Sequence, residues 1–339
     1  MQNVSACQFA LWLGRDQILS LKSQSYCDIF HTFASAKSKD EMRKHTFKEW
    51  MIAVRPWSFP ASTMPVIVTM SYLFWKDGAS GINWLFGLWA LVNIVVFHAA
   101  GNTWSDWFDY RKKVDAEDTF GSKTLTSGMF APGEIMRLSV ALTVVACAGG
   151  IGLLVLTGLP LLWIGLGGVA CTLLYPALKY RALGDVVILA AYAFLPTLGT
   201  SYVVTGAIDW NVLWIALPVG LVTDGILHAN NTRDIMTDRR CGITTMAMGL
   251  GMKASAWVYG FEMVFPYVWV GICSIAGIMP LWTIIVFLTL PVAIACERTM
   301  RKAVDGGVVL IADLDVRTAN VQLMFSLLLT LAFAVDGLI

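Results

Sequence analysis

Asn230-Asn231-Thr232-Arg233-Asp234-Ile235-Met236-Thr237-Asp238-Arg239-Arg240 is a run of charges and amides set directly after the apolar segment 212–230. Asn231, Asp234 and Asp238 are spaced i, i+3, i+7, so on a continuous helix their side chains leave from one face. An earlier group matches it: Asn102, Asp106 and Asp109, spaced i, i+4, i+7 at the end of the apolar segment 82–100, with Asp115 just beyond. Asn102 and Asn231 stand 129 residues apart, and so do Asp109 and Asp238. Carboxylates facing one cavity repel unless a cation lies among them. Two such groups at the ends of two apolar segments therefore point to a shared cation.

The background to these clusters is oily. Hydrophobic residues make up 57% of the 339 residues and charged ones 14%, and the mean hydropathy is +0.67. A soluble domain carries roughly a quarter of its residues as charges, so the chain reads as a polytopic membrane protein. A net charge of +1, without a basic stretch interleaved with aromatics, sets nucleic-acid binding aside. The seven cysteines form no CxxC pair and mostly lie in apolar runs, as small hydrophobes would.

Residues 1–45 differ in character, being polar and mixed in charge, and are expected to lie outside the fold, with Met42 close to a natural start. From Lys48-Glu49-Trp50 the pattern predicts an interfacial helix, opening a single transmembrane domain over 46–339. Nine apolar spans follow, at 58–75, 82–100, 135–157, 159–176, 184–206, 212–230, 254–274, 278–296 and 318–338. Each is close to the ~20 residues that a helix needs to cross a bilayer. The expected fold is an all-α polytopic bundle of about nine transmembrane helices around a central cavity, with a cytoplasmic cap. Every Lys and Arg except Lys76 falls at the side of the amino terminus and of the loops after spans 2, 4, 6 and 8. The positive-inside rule places that side, and both carboxylate clusters, in the cytoplasm of a cell (inner) membrane protein. The common offset also hints at a pseudo-repeat of spans 2–5 and 6–9.

Asn and Asp are oxygen donors, which suit magnesium or calcium better than zinc. Magnesium fits best, because it binds through a few carboxylates together with substrate phosphate oxygens. Basic residues stand beside the acids: Arg111, Lys112 and Lys113, Lys123, Lys179 and Arg181, then Arg233, Arg239 and Arg240. Acids for metal and bases for anion together describe a diphosphate site, and a diphosphate on a hydrophobic tail belongs at the mouth of a membrane bundle. The plain alternative is that Asp and Asn terminate helices and that charged loops merely orient the protein. It accounts for any one of these residues better than for both clusters at once.

These clusters belong to longer motifs. Asn102-xxx-Asp106-xx-Asp109 with Lys112 and Asp115, Leu125-Thr126-Ser127-Gly128, and Asn230-Asn231-Thr232-Arg233-Asp234-xxx-Asp238-Arg239-xx-Gly242-xx-Thr245 resemble those of the UbiA superfamily of intramembrane aromatic prenyltransferases. Arg55-Pro56-Trp57-Ser58, Leu174-Tyr175-Pro176 with Lys179, Leu183-Gly184-Asp185 and Leu314-Asp315-Val316-Arg317-Thr318-Ala319 extend the likeness over about residues 48–339. Within the superfamily, the pattern is most similar to the branch that acts on 1,4-dihydroxy-2-naphthoate in menaquinone synthesis. Ser105 and Lys123-Thr124 depart from that branch, which often has Asn and Arg-Pro there.

The resemblance implies transfer of a polyprenyl group from polyprenyl diphosphate to 1,4-dihydroxy-2-naphthoate, with loss of CO2 and diphosphate. It implies Mg2+ held by Asn102, Asp106, Asp109, Asn231, Asp234 and Asp238, the four aspartates being catalytic. Substrate contacts would come from Asn102, Lys112, Asn231, Arg233, Lys123, Lys179, Arg55 and Tyr175. Tyr175 or Tyr192 could face the allylic cation, although such tyrosines also serve as packing residues. Asp224 and His228 precede Asn231 by two turns and one, and with His98 they are functional candidates or hydrogen-bonded structural groups. Other acceptors, such as 4-hydroxybenzoate, homogentisate or a porphyrin-derived ring, remain open. A cation-coupled transporter would instead place acids near the midplane with access from both sides, and an intramembrane aspartyl protease lacks a second matching Asp.

Overall fold

The computed structural model describes residues 44–115, 120 and 122–339, and almost all of them are helical. Of the expected extension, residues 1–43, Met42 among them, fall outside the described residues, whereas Lys44 and His45 are described and His45 packs into the fold. α1 (Phe47–Val54) starts on a capping box, in which the Thr46 hydroxyl accepts from Glu49 N–H and the Glu49 carboxylate accepts from Thr46 N–H. It stops at Arg55, whose φ of 55° is left-handed, ahead of Pro56.

The spans follow as α2 (Pro60–Asp77), α3 (Trp84–Arg111), α4 (Pro132–Thr157), α5 (Pro160–Lys179) and α6 (Gly184–Thr205), then α7 (Leu213–Arg233). Two short helices, α8 (Ile235–Arg240) and α9 (Met246–Leu250), cap the polar face. α10 (Met252–Ile275), α11 (Leu290–Gly306, led in by the 3-10 turns Leu281–Thr289) and α12 (Leu314–Asp336) complete the bundle. Eight of the nine expected spans are long and apolar enough to cross a membrane. The other, α2, is a helix in the expected place but less apolar, since it turns Ser62, Thr69 and Ser71 into the protein and ends on Lys76-Asp77.

Burial ranks the helices. In α7, 72% of the hydrophobic window is buried, against 6% in α5, so α7 is the axis of the bundle and α5 a peripheral wall. The main core packs α2, α7, α10, α11 and α12 around Tyr259, Tyr267, Phe325 and Phe333. A smaller apolar cluster of Ala53, Trp107, Leu125, Phe130, Ile135 and Met136 lies at the polar face and fastens α1 and the 122–131 loop over α3 and α4. His45 stacks on Phe130 there at 4.0 Å.

Three details position the site. α3 runs eleven residues past its expected limit of 100, to Arg111, because nothing interrupts the hydrogen-bond ladder before Lys113, whose φ is 57°. Asn102, Asp106 and Asp109 therefore stand on a helix. α7 does not continue unbroken: Asp234 (φ −93°, ψ 6°) separates it from α8. The Asp234 N–H still donates to Asn230 and the Asp238 N–H to Asp234, both at 2.9 Å, so the face expected of a continuous helix survives a bend. The third is a π-helical segment over Ala190–Phe194 in α6, a device that re-registers a helix face; Tyr192 in it lines the central cavity. On the opposite face Lys76, the exception to the charge asymmetry, is paired with Asp209 at 2.6 Å.

Candidate active site at the polar mouth of the bundle

A cavity of about 1180 Å3 opens at the polar face and runs between α2, α3, α4, α5, α6, α7 and α12. Its mouth is lined by Arg55, Asn102, Asp109, Asp115, Lys123, Lys179, Asn231, Arg233, Asp234, Asp238 and Asp315, and Tyr175 and Tyr192 line its wall. Apolar side chains such as Ile94, Phe97, Leu154, Val169 and Leu195 line its shaft. The two clusters that were 129 residues apart in sequence thus share one chamber.

Each of three aspartates meets a basic side chain from another position in the chain. Asp106 is buried against Arg55. Asp109 accepts from Lys179 Nζ at 3.1 Å, from the Tyr180 hydroxyl at 2.7 Å and from Ser105 Oγ at 3.2 Å. Asp234 takes a two-point contact from Arg233, both bonds at 2.9 Å. Asp238 is buried; burial first, and then the neighbouring Asp234 and Asp109 carboxylates, push its carboxyl up to about 7 against the opposing pull of Lys179. Burial and Asp109 push Asp115 up to about 6. The Arg55 guanidinium is lowered by burial, with Asp115 and Asp109 working in the other direction.

Asn102 donates its amide to the Val54 carbonyl and to Ser58 Oγ, both at 3.0 Å. Ser58 in turn donates to the Arg55 carbonyl at 2.8 Å and contacts His98 Nε2 at 3.3 Å. His98 Nδ1 lies 2.8 Å from Ser62 Oγ, and Tyr192 sits edge-on to the imidazole at 4.9 Å. His98 is therefore a partnered wall residue that ties α2, α3 and α6 together.

Not every expected residue reaches the chamber. Lys112 is exposed at the C-cap of α3 and is absent from the lining, and Asp106 lies behind Arg55 rather than on the cavity surface. Asp224 and His228 are buried beside the chamber without lining it. His228 Nδ1 lies 3.1 Å from Glu262 and 3.8 Å from Asp185, and its Nε2 lies 2.7 Å from Ser255 Oγ, which meets Thr232 at 2.6 Å. Acids do occur inside the bundle, as a transporter would need, but they bridge α6, α7 and α10 away from the cavity. Asp315 and Tyr180 were given no role by the sequence reading, although Asp315 stands in the 314–319 motif and Tyr180 follows Lys179.

Among the described residues no group of three or more His, Cys, Asp or Glu is arranged to hold a metal as the side chains stand. Basic groups occupy the carboxylates instead. The donor set nevertheless fits a hard divalent cation. Asp106 Oδ2 is buried and accepts no hydrogen bond while Oδ1 meets Arg55, the Asn102 amide N–H groups are spent on protein acceptors so that its carbonyl oxygen is available, and like charge at Asp238 and Asp115 is what a cation would offset.

Residues 63–306 match the UbiA prenyltransferase family. The mouse protein named UbiA prenyltransferase domain-containing protein 1 is 32% identical over 294 residues, covering 84% of this chain and 83% of its own. Its Drosophila melanogaster homologue is 32% identical over 262 residues, covering 75% and 72%. Among solved structures, a UbiA homologue from Archaeoglobus fulgidus bound to DMAPP and Mg2+ superposes with a TM-score of 0.56 at 13% identity, over 86% of this chain and 100% of that one. A digeranylgeranylglyceryl phosphate synthase gives a TM-score of 0.56 at 17% identity, over 85% and 98%. At those identities the structures establish the fold alone. The sequence relatives are named for the UbiA domain and not for the naphthoate branch that the motifs resemble.

Proposed function

The chain belongs to the UbiA prenyltransferase family, and we propose that it transfers a polyprenyl group from polyprenyl diphosphate to 1,4-dihydroxy-2-naphthoate, with loss of CO2 and diphosphate. The observation that carries this reading is the chamber itself, with carboxylates and bases at its mouth and an apolar shaft behind them. Pockets for drug-sized ligands run ~300–1,000 Å3, so about 1180 Å3 gives room for an isoprenoid tail together with an aromatic ring. The diphosphate stays at the polar face, which we place in the cytoplasm.

Asn102, Asp106 and Asp109 on one side, and Asn231, Asp234 and Asp238 on the other, would hold Mg2+. The metal supplies charge neutralisation to the departing diphosphate. Arg55, Lys179 and Arg233, preorganised by their carboxylate partners, add fixed positive charge to the same group together with Lys123. The bond from the allylic carbon to the diphosphate oxygen breaks, and that carbon joins the ring carbon bearing the carboxylate. Departure of CO2 returns an electron pair to the ring, so no base has to remove a ring proton. The apolar shaft keeps water from the allylic centre, and the faces of Tyr175 and Tyr192 support its developing charge.

The acceptor is tested by incubating purified protein with labelled polyprenyl diphosphate and each candidate ring. Label in a product matching demethylmenaquinol, recovered as demethylmenaquinone after oxidation by air, is expected. Label transferred to 4-hydroxybenzoate or homogentisate, and none to the naphthoate, would overturn the acceptor.

A further inference from the structure

Arg233 divides its guanidinium between two carboxylates on different elements. Nε and Nη2 donate to the two oxygens of Asp234, each at 2.9 Å. Nη1 donates to Asp315 Oδ2 at 3.1 Å and to the Ala312 carbonyl at 3.3 Å, and the guanidinium lies 4.8 Å from the centre of the Phe120 ring. Asp234 is held by both oxygens, in the fork geometry that suits arginine best. Asp315 is held by one. Its other oxygen, Oδ1, is buried and accepts no hydrogen bond, a state that is costly for a carboxylate.

The proposed function needs Asp234 as a cation ligand, and a cation competes with the guanidinium for the same oxygens. Arg233 is buried, so losing Asp234 without replacement would leave its charge on the single Nη1 contact with Asp315 and the Ala312 carbonyl, with Nε and Nη2 unpaired. Among the described ion pairs of Arg55, Lys179 and Arg233, Arg233 alone reaches a second carboxylate.

We propose that Asp315 is a positioning residue that receives Arg233: when a divalent cation takes Asp234, the guanidinium turns onto both oxygens of Asp315. Arg233 thereby stays paired at the chamber wall, with donors left to meet the diphosphate. This inference rests on the proposed function. It makes the Asp234 end of the cradle a counter-ion exchange, in which one internal cation is parked so that an external one can enter.

The test is Mn2+ affinity, read by electron paramagnetic resonance on the purified full-length protein in detergent without prenyl donor. Asp315→Asn is expected to weaken Mn2+ binding about tenfold, the scale of a charge-assisted hydrogen bond, and Asp315→Glu, which keeps two acceptor oxygens, to restore most of it. In an Arg233→Gln background there is no guanidinium to receive, and Asp315→Asn should cost less than about twofold. An equal loss in both backgrounds would mean that Asp315 acts only through its charge, and would overturn the proposal, as would no loss in the parent. Asp315→Ser carries the same two expectations if the Asn variant does not fold. A parent protein that binds no Mn2+ contradicts the proposed function itself, a result distinct from Mn2+ binding that ignores residue 315.

Discussion

Lys179 and Asp109 meet at 3.1 Å, with side chains 16% and 10% exposed, and so join the polar end of α5 to that of α3. Lys179 closes the chamber from the peripheral wall, while α3 supplies the first carboxylate cluster. The Tyr180 hydroxyl donates to the other Asp109 oxygen at 2.7 Å. A pair this far out of water gains little over an apolar replacement, but removing one partner strands the other. Asp109→Ala is therefore expected to cost about 3 kcal/mol of stability. A clear drop in melting temperature in detergent is expected, partly recovered by adding Lys179→Met; an unchanged melting temperature would show that the pair does not form.

Lys112 and Lys179 separate the motif from the chamber. Both were read from the sequence as substrate contacts, yet Lys112 is exposed and outside the lining whereas Lys179 is within it. Steady-state kinetics with varied prenyl diphosphate should show Lys112→Ala within about threefold of the parent in KM, and Lys179→Ala reduced at least tenfold in kcat/KM, as for loss of a charge-assisted contact. The reverse order would place Lys112 on the diphosphate.

Asp115 and Asp238 give the site a pH dependence. Their carboxyls are pushed up to about 6 and about 7 by burial and neighbouring acids, so the folded protein holds these protons more tightly than an unfolded chain does. The stability they contribute is complete below pH ~4, where unfolded carboxyls titrate, and is lost as pH rises through 6 and 7. A divalent cation offsets that loss by pairing with the ionised forms. Thermal melts with and without Mg2+ should show a larger gain at pH 8 than at pH 6, and a larger gain at the lower pH would contradict the assignment.

His228 serves the bundle and not the reaction. Its nitrogens face Glu262 and Ser255, and the residue is outside the chamber lining. His228→Ala leaves the buried Glu262 carboxyl without its imidazole partner and Ser255 with Thr232 alone, at a cost of about 2 kcal/mol. Calorimetry should register that cost, while kcat of the folded fraction stays within about fivefold. A hundredfold fall in kcat at an unchanged melting temperature would make His228 a participant in the chemistry.

The sequence carried the span positions, because twenty apolar residues in a row have one physical use, and it carried both clusters, because their spacing survives on the helices. Three things were illegible. α3 outlasts its apolar stretch, since a helix ends where its ladder is interrupted at Lys113 and not where its hydropathy falls. The bend at Asp234 is a dihedral choice that side-chain spacing does not record. The pairings Arg55 with Asp106, Lys179 with Asp109 and Arg233 with Asp315 join residues 51, 70 and 82 positions apart, which only the assembled bundle brings together. Motif membership placed Lys112 beside the aspartates. The end of α3 turns it outward.

The central claim is that the two carboxylate clusters act as one cation-dependent cradle for a prenyl diphosphate. Its most direct test is prenyl transfer by purified parent, Asp106→Ala and Asp234→Ala proteins, each folded in detergent, with Mg2+ and with excess chelator. The account predicts product only from the parent with Mg2+, and a loss of at least a hundredfold in either variant, on the scale of removing one electrostatic stabiliser. Undiminished transfer in chelator, or by both alanine variants, would contradict it.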